Sequence, residues 1–120
     1  DHIQLLGYQS NAYGLLEGAD LMLMTSLWEG TPMCALEAMA LGVPIVSTPV
    51  DGLCDLVDPG KTGFLESTDE ALADRCAQII RNPALRAELS ENTLKKAAAL
   101  LDLEHYRQQV RNAYGFGGSL

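Results

Sequence analysis

The chain has 120 residues, 48% of them hydrophobic, enough for one compact core and too few for two domains. A formal net charge of -8 excludes nucleic acid and anionic lipid as partners of the bulk surface, because both reward Lys and Arg. Residues 1–60 hold the whole imbalance, with eight acidic side chains and neither Lys nor Arg, so an anion bound there lacks a local cationic side chain.

No apolar run approaches the roughly 20 residues of a membrane-spanning helix, and Asp1-His2-Ile3 lacks the basic lead of a signal peptide. Cys34, Cys54 and Cys76 are odd in number, far apart and never in a CxxC pair, which argues against a disulfide framework and a zinc site. These features predict a soluble chain in a reducing cytoplasm.

The first half alternates aliphatic runs with helical patterns, as a parallel α/β sheet requires. Strands are expected at Ile3–Leu6, Leu21–Thr25 and Pro44–Thr48. A helix from about Asn11 to Gly18 separates the first two, with Asn11 as N-cap and Gly18 as stop. Between the second and third, Thr31 reads as N-cap and Pro32 as the first residue of a helix to Leu41, closed by Gly42. A short helix near Asp51–Val57 leads through Asp58-Pro59-Gly60-Lys61-Thr62-Gly63 to a last strand, Phe64–Glu66. Leu72, Cys76, Ile79 and Ile80 then mark one helix face, Asn82-Pro83 breaks that helix, and another runs to about Leu101. Leu103, Tyr106, Val110 and Tyr114 mark a final helix before the tail.

Chemistry concentrates between the second strand and the helix after it. Ligands of open α/β sheets collect at the carboxyl ends of strands, where the next helix offers free N–H groups and its positive dipole end to an anion. Met33 and Cys34 supply such groups, and Gly30 lets a ligand approach the backbone. Glu29 and Glu37 bracket the helix start as pure acceptors suited to paired sugar hydroxyls. An alternative for Glu37 is an ordinary, partly exposed helix residue.

Several other features are decoys. Gly60-Lys61-Thr62 resembles the end of a phosphate-binding P-loop, but Asp55 stands where its first Gly belongs and a strand follows. His2 and His105 have no nucleophile partner at a recognisable spacing. No D-x-D occurs to support metal-dependent transfer. Trp28 either stacks on a ligand or packs beneath the loop, and Met22, Met24, Met33 and Met39 read as core filling.

Glu29 and Glu37, embedded in WEGTPMCALEAMALGVPIVST, resemble the E-x7-E signature of retaining GT-B glycosyltransferases, particularly the GT4 family (group 1 glycosyltransferases). LGYQSNAYGLLEGADLMLMTS before it, VSTPVDGLCDLVDPGKTGFLE after it and the Asn82-Pro83 region are also similar to that family, so nearly the whole chain is covered. Asp51 departs from the first glycine of the family's usual Gly-Gly pair, Cys54 from its Pro, and Thr31 from its Phe or Leu. Asp51 adds negative charge near the sugar pocket.

The resemblance implies an α/β, Rossmann-like parallel sheet with flanking helices, the truncated C-terminal half of a GT-B enzyme. Residues 1–114 would be a partial nucleotide-sugar-binding domain and 115–120 a Gly-rich tail. It implies a nucleotide sugar as donor substrate, with no cofactor and no metal, transferred to a glycan, lipid or small acceptor. Glu37 would hold the ribose hydroxyls, and Glu29 would contact the donor sugar and stabilise charge near its anomeric carbon. Gly30, Thr31, Pro32, Met33 and Cys34 would line the diphosphate. Retention would follow front-side attack, the leaving phosphate helping to deprotonate the acceptor. The family's diphosphate-binding Arg and Lys, and its acceptor domain, have no counterpart in this sequence, so weak donor affinity and no catalysis by the chain alone are expected.

In the strand order 3-2-1-4-5-6 usual for such sheets, the four expected strands are 3, 4, 5 and 6. That leaves Leu21–Thr25 with an open edge, so either Ile3–Leu6 closes onto it or the chain forms a homodimer through it. Location is expected to be cytoplasmic, with the parent enzyme allowed at the inner-membrane surface. Two competing readings are a non-catalytic Rossmann-like binding or regulatory module and a GT-B-type sugar-nucleotide epimerase; the second normally carries a different set of catalytic carboxylates and histidines.

Overall fold

A computed structural model of the chain describes residues 2–115. The elements follow as α1 (Tyr13–Glu17), β1 (Met22–Met24), α2 (Met33–Ala40), β2 (Ile45–Ser47), α3 (Asp51–Cys54), β3 (Gly63–Leu65), α4 (Asp69–Arg81), α5 (Pro83–Leu100) and α6 (Leu103–Ala113). The strands form one parallel sheet in the order β1-β2-β3, with Met22 opposite Ile45 and Ile45 opposite Gly63.

Strand β2 is central and buried on both faces, which is why Ile45 and Val46 are both apolar instead of alternating with a polar residue; Ser47, which ends the strand, is also buried. Ile45 packs with Met24, Ala35, Met39, Leu53 and Leu56 beneath α2 and α3. Its neighbour Val46 points the opposite way, into Phe64, Leu72, Ile79 and Leu89 beneath α4. Helix α5 serves both faces, with Leu89 in the second cluster and Ala97 in the first. It crosses the amino ends of the strands, where the buried Thr93 hydroxyl donates to the Thr62 carbonyl at 3.1 Å and Leu94 packs over Gly42. Gly42 has φ +73°, the left-handed turn that ends α2 and sends the chain into β2. The carboxyl ends of the strands stay uncovered by α5.

The expected strand at Ile3–Leu6 is not formed. Those residues are irregular, with Ile3 83% and Leu5 96% exposed. A strand exists only where a neighbour accepts its hydrogen bonds, and the five-residue α1, which buries nothing, gives no crossover able to press this segment onto the edge of β1. The closure of Ile3–Leu6 onto that edge is therefore corrected, and the sheet has three strands among the described residues where four were expected. The N-cap position of α1 is Ala12, not Asn11, with no side-chain cap, and Met33 is 65% exposed at the first turn of α2 instead of filling the core. The tail expected at 115–120 lies outside the described residues beyond Gly115. No helix among the described residues is long and apolar enough to cross a membrane.

Candidate functional site

The site is the loop from Ser26 to Pro32, between the end of β1 and the start of α2, together with Thr48 to Gly52, between β2 and α3. Two contacts join the two segments, and a third fixes a side chain within the first. The Thr48 hydroxyl donates to the Ser26 carbonyl, extending a ladder in which the Thr48 amide already donates to Met24 O at 3.1 Å. The Ser26 hydroxyl donates to Glu29 Oε1 at 2.7 Å. Gly52 lies so close beneath the loop that a Cβ there would sit 1.4 Å from Gly30 O and 3.2 Å from Pro32 Cδ.

A cleft of about 310 Å³ opens between the segments, lined by Leu27, Trp28, Glu29, Pro49, Val50 and Asp51. Trp28 is 88% exposed at its rim, which removes the alternative that it packs beneath the loop. Glu29 is half-buried, and its only hydrogen bond among the described residues comes from Ser26. The structure thus brings Asp51 alongside Glu29, two carboxylates without a basic side chain in the lining.

Helix α2 begins one residue later than expected. Pro32 has φ -73° but an extended ψ of 113°, so it is the N-cap, and Thr31 stands outside the helix and caps nothing. Thr68, Asn82 and Asp102 cap α4, α5 and α6 by accepting amide hydrogen bonds. Among the described helices of eight residues or more, α2 alone lacks such a side chain. The amides of Gly30, Thr31, Met33 and Cys34 have no acceptor among the described residues, and Met33 and Cys34 are exposed. Backbone donors left free at a helix start, with the positive dipole end behind them, are what an anion requires.

Glu37 does not line the cleft with Glu29. It lies half-buried on α2, three residues after Cys34 and four after Met33, hence on the same helix face, and its carboxylate has no partner among the described residues. Helical side chains lean toward the N-terminus, which tilts Glu37 toward the open amides. Glu29 thus borders the cleft before the helix start, and Glu37 lies on α2 outside that cleft.

Competing locations are weaker. A cavity of about 270 Å³ at Asp20, Gly42, Pro44, Arg86 and Ser90 lies at the amino ends of the strands, and Arg86 there is paired with Asp20 at 2.8 Å. Burial pushes the Cys76 thiol up and Lys95 holds the Glu91 carboxyl down, but these lie on α4 and α5, outside the cleft. Asp58–Gly63 is a turn, its Thr62 hydroxyl accepting from Asp58 N at 2.9 Å, and it enters β3 instead of a helix, so it is no P-loop. Among the described residues no three His, Cys, Asp or Glu side chains are grouped to hold a metal. The role of Gly52 was missed by sequence reasoning. Its one signal is a glycine inside a short helix, which costs helix propensity without a local reason.

Comparison with known proteins gives a consistent result. The family described as Glycosyl transferases group 1 matches residues 1–96. N-acetyl-alpha-D-glucosaminyl L-malate synthase of Bacillus anthracis is 36% identical over 116 residues, 95% of this chain and 30% of that protein. The lipopolysaccharide core biosynthesis mannosyltransferase LpsB of Rhizobium meliloti is 30% identical over 95% of this chain and 34% of its own length. The crystal structure of HepE from Anabaena in complex with UDP and glucose superposes with a TM-score of 0.83 at 25% identity, covering 96% of this chain and 32% of that one. HepE has also been crystallised with UDP-glucose. The chain spans about a third of the length of these relatives.

Proposed function

The chain belongs to the glycosyl transferases group 1 family, and from that membership we propose that it is the donor-binding part, residues 1–114, of a retaining GT-B glycosyltransferase of the GT4 type. The donor is a nucleoside diphosphate sugar, and transfer needs no metal in this reading. The observation that carries it is the uncapped start of α2, where the amides of Met33 and Cys34, and those of Gly30 and Thr31 in the loop before it, fall between Glu29 and Glu37 in the sequence and have no acceptor among the described residues.

In this reading the amides of Gly30, Thr31, Met33 and Cys34 bind the diphosphate and the sugar, with Pro32 fixing the turn between them. Glu37 accepts hydrogen bonds from the ribose hydroxyls. Glu29 accepts from the donor sugar and stabilises positive charge developing at its anomeric carbon. The bond from that carbon to the phosphate oxygen breaks as the bond to the acceptor oxygen forms on the same face, and the acceptor proton passes to the leaving phosphate. Asp51 adds an acceptor at the sugar end, which favours donors rich in hydroxyls.

The same geometry explains why donor affinity of the chain itself is expected to be low. A helix end stabilises an anion by only about 0.3–1 kcal/mol per charge, and residues 1–60 supply no cation. The neutralising Arg and Lys are assigned to the preceding part of the same donor-binding domain, and the acceptor site to a separate domain of a cytoplasmic enzyme. In the enzyme carrying this chain, Glu37→Ala is expected to lower kcat/KM for the sugar nucleotide about tenfold or more, as loss of hydrogen bonds to a charged acceptor does. Unchanged turnover and nucleotide affinity would instead mark a non-catalytic binding module.

A further inference from the structure

We propose that Ser26 is the positioning residue for Glu29 and that Thr48 holds Ser26 in turn, so that the site carboxylate is aimed by the joined ends of β1 and β2. The inference rests on the reading of Glu29 as the sugar-facing carboxylate. Glutamate on a surface loop ordinarily samples several rotamers. Here Ser26 Oγ donates to Oε1 at 2.7 Å, which ties up one carboxylate oxygen and leaves the other free to accept from a hydroxyl. Nothing else among the described residues does this work. Leu27 and Trp28, between the two residues, are 86% and 88% exposed, and no basic side chain pairs with Glu29.

Ser26 is fixed from the other side. Its carbonyl accepts from the Thr48 hydroxyl, one step beyond the last β1–β2 ladder bond. That contact uses the backbone of Ser26, not its side chain. Removing the Ser26 hydroxyl therefore releases Glu29 while leaving the loop anchored to β2, so Ser26→Ala is expected to fold normally. Ser26→Thr keeps the donor.

Two measurements test this on the chain itself. The first reads the side-chain rotamer of Glu29 from three-bond NMR couplings without ligand: one rotamer in wild type and S26T, averaged values in S26A. The second titrates UDP and UDP-glucose separately. S26A is expected to cut the advantage of UDP-glucose over UDP about tenfold, S26T to restore it, and UDP alone to bind all three equally. A general structural defect would weaken both ligands together. Unchanged Glu29 couplings in S26A would overturn positioning by Ser26. A wild-type chain that binds UDP-glucose no better than UDP, or an E29Q variant that keeps the advantage, would overturn the sugar-facing role of Glu29, and the couplings would still decide the positioning.

Discussion

Beneath the Gly30 carbonyl there is no room for even one methyl group at position 52. Because the obstacle is backbone and not the tip of a flexible side chain, relief requires moving the 26–32 loop or α3. Gly52→Ala is accordingly expected to destabilise the fold by about 1–3 kcal/mol, the usual cost of overpacking, visible as a fall of about 5–10 °C in Tm; an unchanged Tm would show that the two segments do not meet. At this scale the site was partly legible. The spacing of Glu29 and Glu37 and the glycine and proline between them mark a helix start suited to an anion. The proximity of Asp51 and Glu29, and the need for Gly52, arise from contact between segments more than 20 residues apart, which no local pattern encodes. Thr31 misled because it has the right side chain for an N-cap, one position too early.

Helices α4 and α5 illustrate what local patterns do encode. Thr68 and Asn82 cap them as accepting side chains should, Pro83 occupies the first turn of α5, and Leu72 and Ile79 face the sheet. Strands β1 and β2 lie inside the expected ranges but are shorter, since three residues of each find ladder partners, and β3 has the expected length but begins one residue earlier. The N-terminal run Ile3–Leu6 has strand composition without a partner, and pairing is decided by neighbours and not by composition. Among the helices, α5 alone contributes buried residues to both core clusters. Leu89, fully buried on it, is expected to cost about 2–5 kcal/mol when replaced by Ala. Urea unfolding should show a lower midpoint for the variant with a similar slope; a loss well under 1 kcal/mol would mean that α5 is not part of the cooperative core.

Taken whole, the molecule is elongated, with extents of 60 × 32 × 29 Å and a radius of gyration of 16.4 Å, against about 14 Å for a compact chain of this length. Residues 2–15 and 102–115 are exposed throughout, including Leu5, Tyr8, Leu103 and Tyr106. Strand β1 pairs only with β2 among the described residues, and Leu23 on it is 49% exposed. An apolar open edge recruits other strands, so sedimentation of the chain is expected to show concentration-dependent dimers that Leu23→Lys weakens; a monomer at all concentrations would contradict pairing through this edge. In the proposed reading the site lies in the half of the chain that has neither Lys nor Arg, so backbone amides at the start of α2 take the place of cationic side chains toward a diphosphate. Titration of the ¹⁵N-labelled chain with millimolar UDP tests that claim most directly. The amide signals of Gly30, Thr31, Met33 and Cys34 are predicted to shift together and saturably. Shifts confined to the Asp20–Arg86 cavity, or none at the start of α2, would contradict it.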